Sequence, residues 1–193
     1  MDSIFSPLFN EIDCLLTSGR VTVAIDGGSA SGKTTLAELF KERYDCTVFH
    51  MDDFFLRPEQ RTKERLSEAG GNVDRERFLS EVLIPLKQNS TVCYRKFNCS
   101  AMQLGEPVTV VPKKLTVIEG AYSMHPELAP YYDYSVFLKI DEEYQKERIM
   151  KRNSPELAKR FFDEWIPLEN LYFEKMGVRE RCNLIFEIKR QNV

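Results

Sequence analysis

The segment GGSASGKT at residues 27–34 limits what this chain can fold into more than any other stretch does. It satisfies the spacing G-x-x-x-x-G-K-[ST]. A β-branched, nearly all-apolar run precedes it at 21–25, and a helix-forming stretch follows at 35–44. Glycines let successive backbone N–H groups turn inward around phosphate oxygens, and a helix that begins at once presents its positive end to the same oxygens. The spacing therefore assigns Gly27, Gly28, Ser29, Ala30, Ser31, Gly32, Lys33, Thr34 and Thr35 to the phosphates of a nucleotide. Lys33 reaches the β- and γ-phosphates, and the Thr34 hydroxyl ligates a Mg²⁺ that bridges them. The flanking strand and helix argue against a chance glycine- and serine-rich turn.

The remaining short apolar runs, at 46–51, 115–118, 134–140 and 184–188, alternate with helical patterns. That alternation predicts a three-layer α/β/α P-loop NTPase domain with a mainly parallel five-stranded sheet, the 21–25 strand near its middle. Two Thr-, Val- and Tyr-rich segments at 91–97 and 107–111, joined through Gly105 and Pro107, predict a small antiparallel flap at about 91–111. An apolar stripe at 3–17 predicts an N-terminal helix that packs on the domain. Residues 141–176 read as helical, with Asp141 a cap and Ser154-Pro155-Glu156 a second start signal. Within them, ENLYFE at 169–174 resembles a tag-removal protease site but lies in an amphipathic stretch, and it is read as native sequence. All 193 residues are expected to form one domain.

Composition narrows the partners. Twenty-seven Lys and Arg against 30 Asp and Glu leave a net charge of −3, which gives no general attraction for nucleic acid. No apolar run approaches the ~20 residues needed to cross a bilayer, and the first residues lack the features of a secretory signal, so a cytoplasmic protein without a membrane partner is expected. The five cysteines form no C-x-x-C pair and accompany only two histidines, so free thiols are expected in place of zinc or disulfides. A homo-oligomer is left open.

A phosphate loop alone does not separate a metabolite kinase from a switch or a motor, and the acidic residues bear on that choice. Asp52 and Asp53 follow the second strand and Glu119 ends the third, so all three belong at the carboxyl edge of the sheet, beside the loop. An Asp there can accept the proton of an attacking hydroxyl, and Glu119 can hold a metal directly or through water. A turn or a helix cap is the competing role for each Asp.

Taken together, GGSASGKT, HMDDFF at 50–55, GGNVDRERF at 70–78 and VIEGAYSMHPEL at 117–128 resemble the uridine kinase-like branch of P-loop kinases. That branch includes nucleoside kinases, nicotinamide riboside kinase, phosphoribulokinase and bacterial pantothenate kinase, and the resemblance spans residues 20–152. It implies ATP, with GTP as an alternative, Mg²⁺ held by Thr34 and Glu119, and Asp52 as general base beside Lys33. Asp74 matches the Asp that holds ribose hydroxyls, or caps the helix predicted at 75–86, and Asp53 is a second acceptor-side candidate. Tyr94 and Phe97 fall where these kinases hold the base, or else pack in the core. Arg148 and Arg152 resemble lid arginines, in a lid at about 148–160, or else form a solvated helix face. The lid and the flap depart from the nucleoside-kinase pattern at 148–155 and 95–99, where Arg95 and Lys96 would suit an acidic acceptor. The expected activity is phosphoryl transfer to a hydroxyl of a small metabolite, a nucleoside such as uridine foremost. A non-nucleoside acceptor such as pantothenate and a nucleotide-binding regulatory module are the alternatives.

Overall fold

The computed structural model describes residues 4–190. Helix α1 (Ser6–Ser18) begins with Pro7 in its first turn and buries Leu8, Phe9 and Ile12, with Phe5 ahead of it edge-on to Phe186 at 5.0 Å. The helix expected at 3–17 thus starts later, and residue 3 lies outside the described residues. Strand β1 (Val21–Gly27) runs straight into the Gly-rich loop, and α2 (Lys33–Arg43) leaves it, two residues before the sequence pattern suggests. Strand β2 (Cys46–His50) is followed by a 3₁₀ turn at Met51–Phe54, which carries the two adjacent aspartates. The short helix α3 (Lys63–Ser67) precedes α4 (Arg75–Phe78).

The helix expected over 75–86 is found in three pieces. A π turn at Leu79–Leu83 joins α4 to α5 (Ile84–Lys87). The same construction recurs where α7 (Pro155–Arg160) meets α8 (Ile166–Lys175) through a π turn at Phe161–Trp165. Each wide turn ends at an Ile-Pro step, Ile84-Pro85 and Ile166-Pro167. A proline ring inside a helix clashes with the carbonyl four residues back and offers no N–H, so widening the preceding turn accommodates both defects.

Strand β3 (Val92–Asn98) pairs antiparallel with β4 (Gln103–Val110) as a separate two-stranded flap. Its register shifts between Arg95 and Phe97, so Val92, Tyr94 and Phe97 point inward while Arg95 and Lys96 are both exposed. Strands β5 (Leu115–Glu119) and β6 (Tyr134–Ile140), helix α6 (Glu142–Arg152), then α7, α8 and the short α9 (Val178–Arg181), and finally β7 (Leu184–Ile188) complete the fold.

The main sheet has five strands in the order β2-β5-β1-β6-β7, and every pairing is parallel. Alternate residues of its strands feed opposite faces. Ala24, Phe49, Ile118 and Phe137 enter one apolar cluster, whereas Val23, Ile25, Val117, Val136 and Leu138 enter the other. The sheet is thus the middle of three layers. The strand order reverses around β1, which puts the crevice at the carboxyl edge where β1, β2 and β5 all end. Among the described residues no helix is long and apolar enough to cross a membrane.

Candidate active site

The loop 27–34 owes its shape to Gly27, whose φ is +145°, and a Cβ there would sit 2.4 Å from the Leu138 carbonyl oxygen of the neighbouring strand. Lys33 folds back on the loop and donates to the carbonyls of Gly27 at 2.8 Å and Gly28 at 2.9 Å. The Thr34 hydroxyl faces Glu119, donating to Oε1 at 3.3 Å. That contact follows from the sheet, because β5 lies between β1 and β2 and ends level with them. The same register sets His50 beside Glu119, and His50 Nδ1 lies 2.6 Å from Oε1. The carboxylate raises the His50 pKa, with burial working against it.

Gly120, at φ +141°, lets the chain leave β5 against Met51, where a Cβ would come within 2.7 Å of the Met51 Cβ. The end of β5 and the turn carrying Asp52 are therefore in van der Waals contact. Asp52 is open to water on one side yet hemmed in by the crevice walls. Loss of solvation pushes its carboxyl above the ordinary value, Lys33 opposes the rise and Glu119 adds to it. Since the group keeps an exposed face, the effect is a bias toward the protonated form and not a neutralisation.

Around these groups the other expected residues are distributed as follows. Asp53 forms an ion pair with Lys96 of the flap at 3.0 Å. Asp74 is almost fully buried and caps α4 by accepting from the Arg77 N–H at 3.1 Å, while its other oxygen lies 3.5 Å from Arg77 Nε and 3.6 Å from Arg57 Nε. Tyr94 and Phe97 are buried, and Tyr94 stacks on Phe54 at 5.4 Å between ring centres and meets Phe49 edge-on. Arg77 ties this side together, donating to the carbonyls of Arg95 at 2.6 Å and Asp53 at 3.1 Å with its guanidinium 4.3 Å above the Phe54 ring. Arg148 stacks on Tyr144 at 5.5 Å and reaches to within 3.8 Å of the space beside Gly32, while Arg152 lies over Phe161 at 5.9 Å. These two arginines line a cavity of about 430 Å³ with Ala30, Tyr144, Glu147 and Lys151, directly against the loop. Thr35, Ser31 and Gly32 stay within the loop and the first turn of α2.

Four further residues belong to the site and were not singled out from sequence: Asp26, His50, Tyr122 and Glu169. Asp26, fully buried at the end of β1, accepts from the N–H groups of Gly27 at 2.7 Å and Met124 at 2.9 Å and from the Tyr172 hydroxyl at 2.8 Å. Burial raises its pKa against those bonds. Its signal in the sequence is a lone carboxylate inside the apolar run VAIDGG. Tyr122 is buried with φ +75°, a conformation that non-glycine residues hold only where their surroundings enforce it. Glu169, from α8, accepts two hydrogen bonds from Ser29 of the loop.

The residues fit a bound nucleotide and one divalent cation. A Thr hydroxyl and a Glu oxygen 3.3 Å apart can share a cation, and no group of three or more His, Cys, Asp or Glu able to hold a metal exists among the described residues. The rest of such an ion's ligands would come from phosphate and water, the usual pattern for Mg²⁺.

Residues 22–156 match the model of a family described as Phosphoribulokinase / Uridine kinase family. The chain is 28% identical over 152 residues to a phosphoribulokinase of Synechocystis, a match covering 74% of this chain and 45% of that protein. It is 27% identical over 133 residues to the tRNA-specific adenosine deaminase subunit tad2 of Schizosaccharomyces pombe, covering 65% of this chain and 32% of that protein. It therefore spans less than half the length of these curated relatives. Among solved structures, one described as a possible uridine kinase from Bacillus stearothermophilus superposes with a TM-score of 0.65 at 24% identity, covering 93% of this chain and 99% of that one, and so shares its fold.

Proposed function

The chain belongs to the phosphoribulokinase and uridine kinase family, and from that membership we propose that it transfers the γ-phosphoryl group of ATP to a hydroxyl of a small metabolite, with a nucleoside such as uridine as the first candidate acceptor. The observation that carries this reading is the convergence at one sheet edge of the Gly-rich loop, the Thr34–Glu119 pair and the separate, partly desolvated Asp52. A protein that only bound nucleotide would not need a proton acceptor beside the metal position.

In this reading the phosphates lie on residues 27–34, and Lys33 exchanges the Gly27 and Gly28 carbonyls for phosphate oxygens. Thr34 and Glu119 would hold Mg²⁺, which supplies charge neutralisation and alignment of the phosphates when bound. Asp52 takes the acceptor's proton as its hydroxyl oxygen bonds to the γ-phosphorus and the bond to the ADP oxygen breaks. Arg148 and Arg152, beside the loop, offset negative charge on the transferring group. Asp53 would line up the acceptor, Asp74 would join it only where Arg57 moves off its buried carboxylate, and Tyr94 and Phe97 support that wall from the core side. GTP is the alternative donor.

Lys96 and Arg57 favour a second reading, in which the acceptor carries its own negative charge. Both cations sit at the acceptor side, half-exposed, with carboxylate partners that an anionic ligand could displace. ADP release from MgATP, measured with uridine, cytidine, nicotinamide riboside, pantothenate and a pentose phosphate in turn, separates the readings. Turnover with uridine or cytidine supports the first, and turnover with the pentose phosphate alone supports the second. Nucleotide binding without turnover on any acceptor would replace both with a regulatory role.

A further inference from the structure

Glu169 and Tyr172 lie three residues apart on α8 and so share one face of it. Both are buried, and both end on the machinery of the loop. The Glu169 carboxylate accepts from the Ser29 N–H at 2.8 Å and from the Ser29 hydroxyl at 2.6 Å. On the opposite side of the same residue, Gln145 of α6 donates to the Ser29 carbonyl at 2.8 Å. Each polar group of Ser29 is thus engaged by a helix 116 or 140 residues further along the chain. The Tyr172 hydroxyl anchors Asp26, whose other oxygen fixes the Gly27 N–H and whose shared oxygen fixes the Met124 N–H, so one hydroxyl joins the start of the Gly-rich loop to the loop that follows Glu119. These anchors are the first and fourth residues of ENLYFE, the segment that resembles a protease site, and its Phe173 packs edge-on to Phe137 in the core.

We propose that α8 is a strut for the Gly-rich loop, with Glu169 and Tyr172 as positioning residues that hold the loop in its nucleotide-binding shape before nucleotide arrives. The inference rests on the reading of this loop as a nucleotide phosphate site. A loop whose N–H groups must converge on an anion loses affinity by the free energy of ordering it, unless the fold has ordered it already. A carboxylate is electrostatically the wrong neighbour for phosphate, so its retention in a buried position calls for a geometric reason. By capturing the Ser29 N–H from behind, Glu169 turns that peptide outward and leaves the first N–H groups of α2, which have no intrahelical acceptor, facing the ligand. Gln145 holds the next peptide, Ser29–Ala30, by its carbonyl, so the units on both sides of the Ser29 Cα are restrained.

Calorimetric titration of the full chain with MgATP and with MgADP tests this, because it reads the loop directly and needs no acceptor. Glu169→Ala leaves both Ser29 donors unmet and is expected to weaken nucleotide binding about tenfold or more. Glu169→Gln, whose amide can accept from the N–H and donate to the hydroxyl oxygen, is expected to stay within about threefold of wild type. Tyr172→Phe, which removes only the hydroxyl, is expected to cost roughly threefold to tenfold. In turnover assays the loss falls on KM for MgATP, with kcat and the acceptor KM nearly unchanged. The strut is overturned if Glu169→Ala or Tyr172→Phe lowers the melting midpoint while nucleotide affinity stays at the wild-type value, or if Glu169→Gln loses as much as Glu169→Ala. Tighter binding by Glu169→Gln would make the charge, not the geometry, the operative feature. Should Glu169→Ala fail to fold, the Gln and Phe variants still decide the matter. A wild-type chain that binds neither nucleotide defeats the phosphate-site reading itself, a distinct result that removes the premise along with the strut.

Discussion

Asp52 has the least comfortable surroundings of the candidate catalytic groups, and its position predicts a linked change in activity and stability. Its carboxyl is held above the usual range by lost solvation and by Glu119, against the pull of Lys33. Only the ionised form can accept a proton, so kcat/KM should rise with pH along a limb displaced above the ordinary aspartate value and level off above it. The same shift makes the folded state bind this proton more tightly than the unfolded chain. The Asp52 contribution is then most favourable in acid, below the unfolded value, and is lost as pH rises through the folded one. At neutral pH the Asp52→Asn variant should therefore have a raised denaturation midpoint together with turnover lowered by roughly 10²- to 10⁴-fold. Urea melts and steady-state kinetics on the two proteins check both signs, and a variant as active as wild type would remove Asp52 from the role of base. Asp52 and Glu119 were legible in the sequence because strand ends next to a Gly-rich loop have few places to go. Glu169 was not, since its partner Ser29 is 140 residues away and a glutamate in an amphipathic helix reads as solvated until the helix has been placed.

Among the elements, the junction between β5 and the turn after β2 has the narrowest tolerance. Gly120 combines a positive φ with a space that a methyl group would have to share with Met51, itself fully buried. Gly120→Ala must move either the end of β5, with Glu119, or the 3₁₀ turn, with Asp52. A loss of about 2 kcal/mol or more is expected from backbone strain plus overpacking, read as a lowered urea midpoint at unchanged m-value. A midpoint within the error of wild type would show that this contact can relax. Strand alternation and β-branched content made the five parallel strands readable from sequence to within one or two residues at most ends. The two π turns were not readable, because their cause is the combination of a proline with a helix that packing compels to continue through it. The phase change in the flap was hidden for a similar reason: Lys96 would face inward by strict alternation, and only the pairing with β4 shows Phe97 taking the buried position.

At the scale of the whole molecule, the two apolar clusters lie on opposite faces of the sheet and neither depends on the crevice. One holds α1 and α2 against the strands, and the other gathers Met51, Phe54, Tyr94, Tyr122 and Tyr172 beneath the proposed acceptor wall. The domain should therefore be folded without nucleotide, and nucleotide should add stability by mass action alone. At a concentration one hundred times Kd that increment is about 2.7 kcal/mol. For a domain of this size it corresponds to a rise in Tm of roughly 5–10 °C. The increment has separable parts. Lys33→Ala removes the cation proposed to reach the phosphates and should abolish the shift. Thr34→Ala should leave only what remains in wild type after magnesium is chelated, since the hydroxyl's contribution passes through the ion it would share with Glu119. Thermal melts with ATP in the presence of Mg²⁺ or EDTA, on wild type and both variants, give the full comparison. If wild type shifts equally in EDTA, Thr34 and Glu119 hold no cation needed for binding. If Thr34→Ala responds to Mg²⁺ as wild type does, the ion is held elsewhere at this sheet edge, with Asp52 as the first carboxylate to examine.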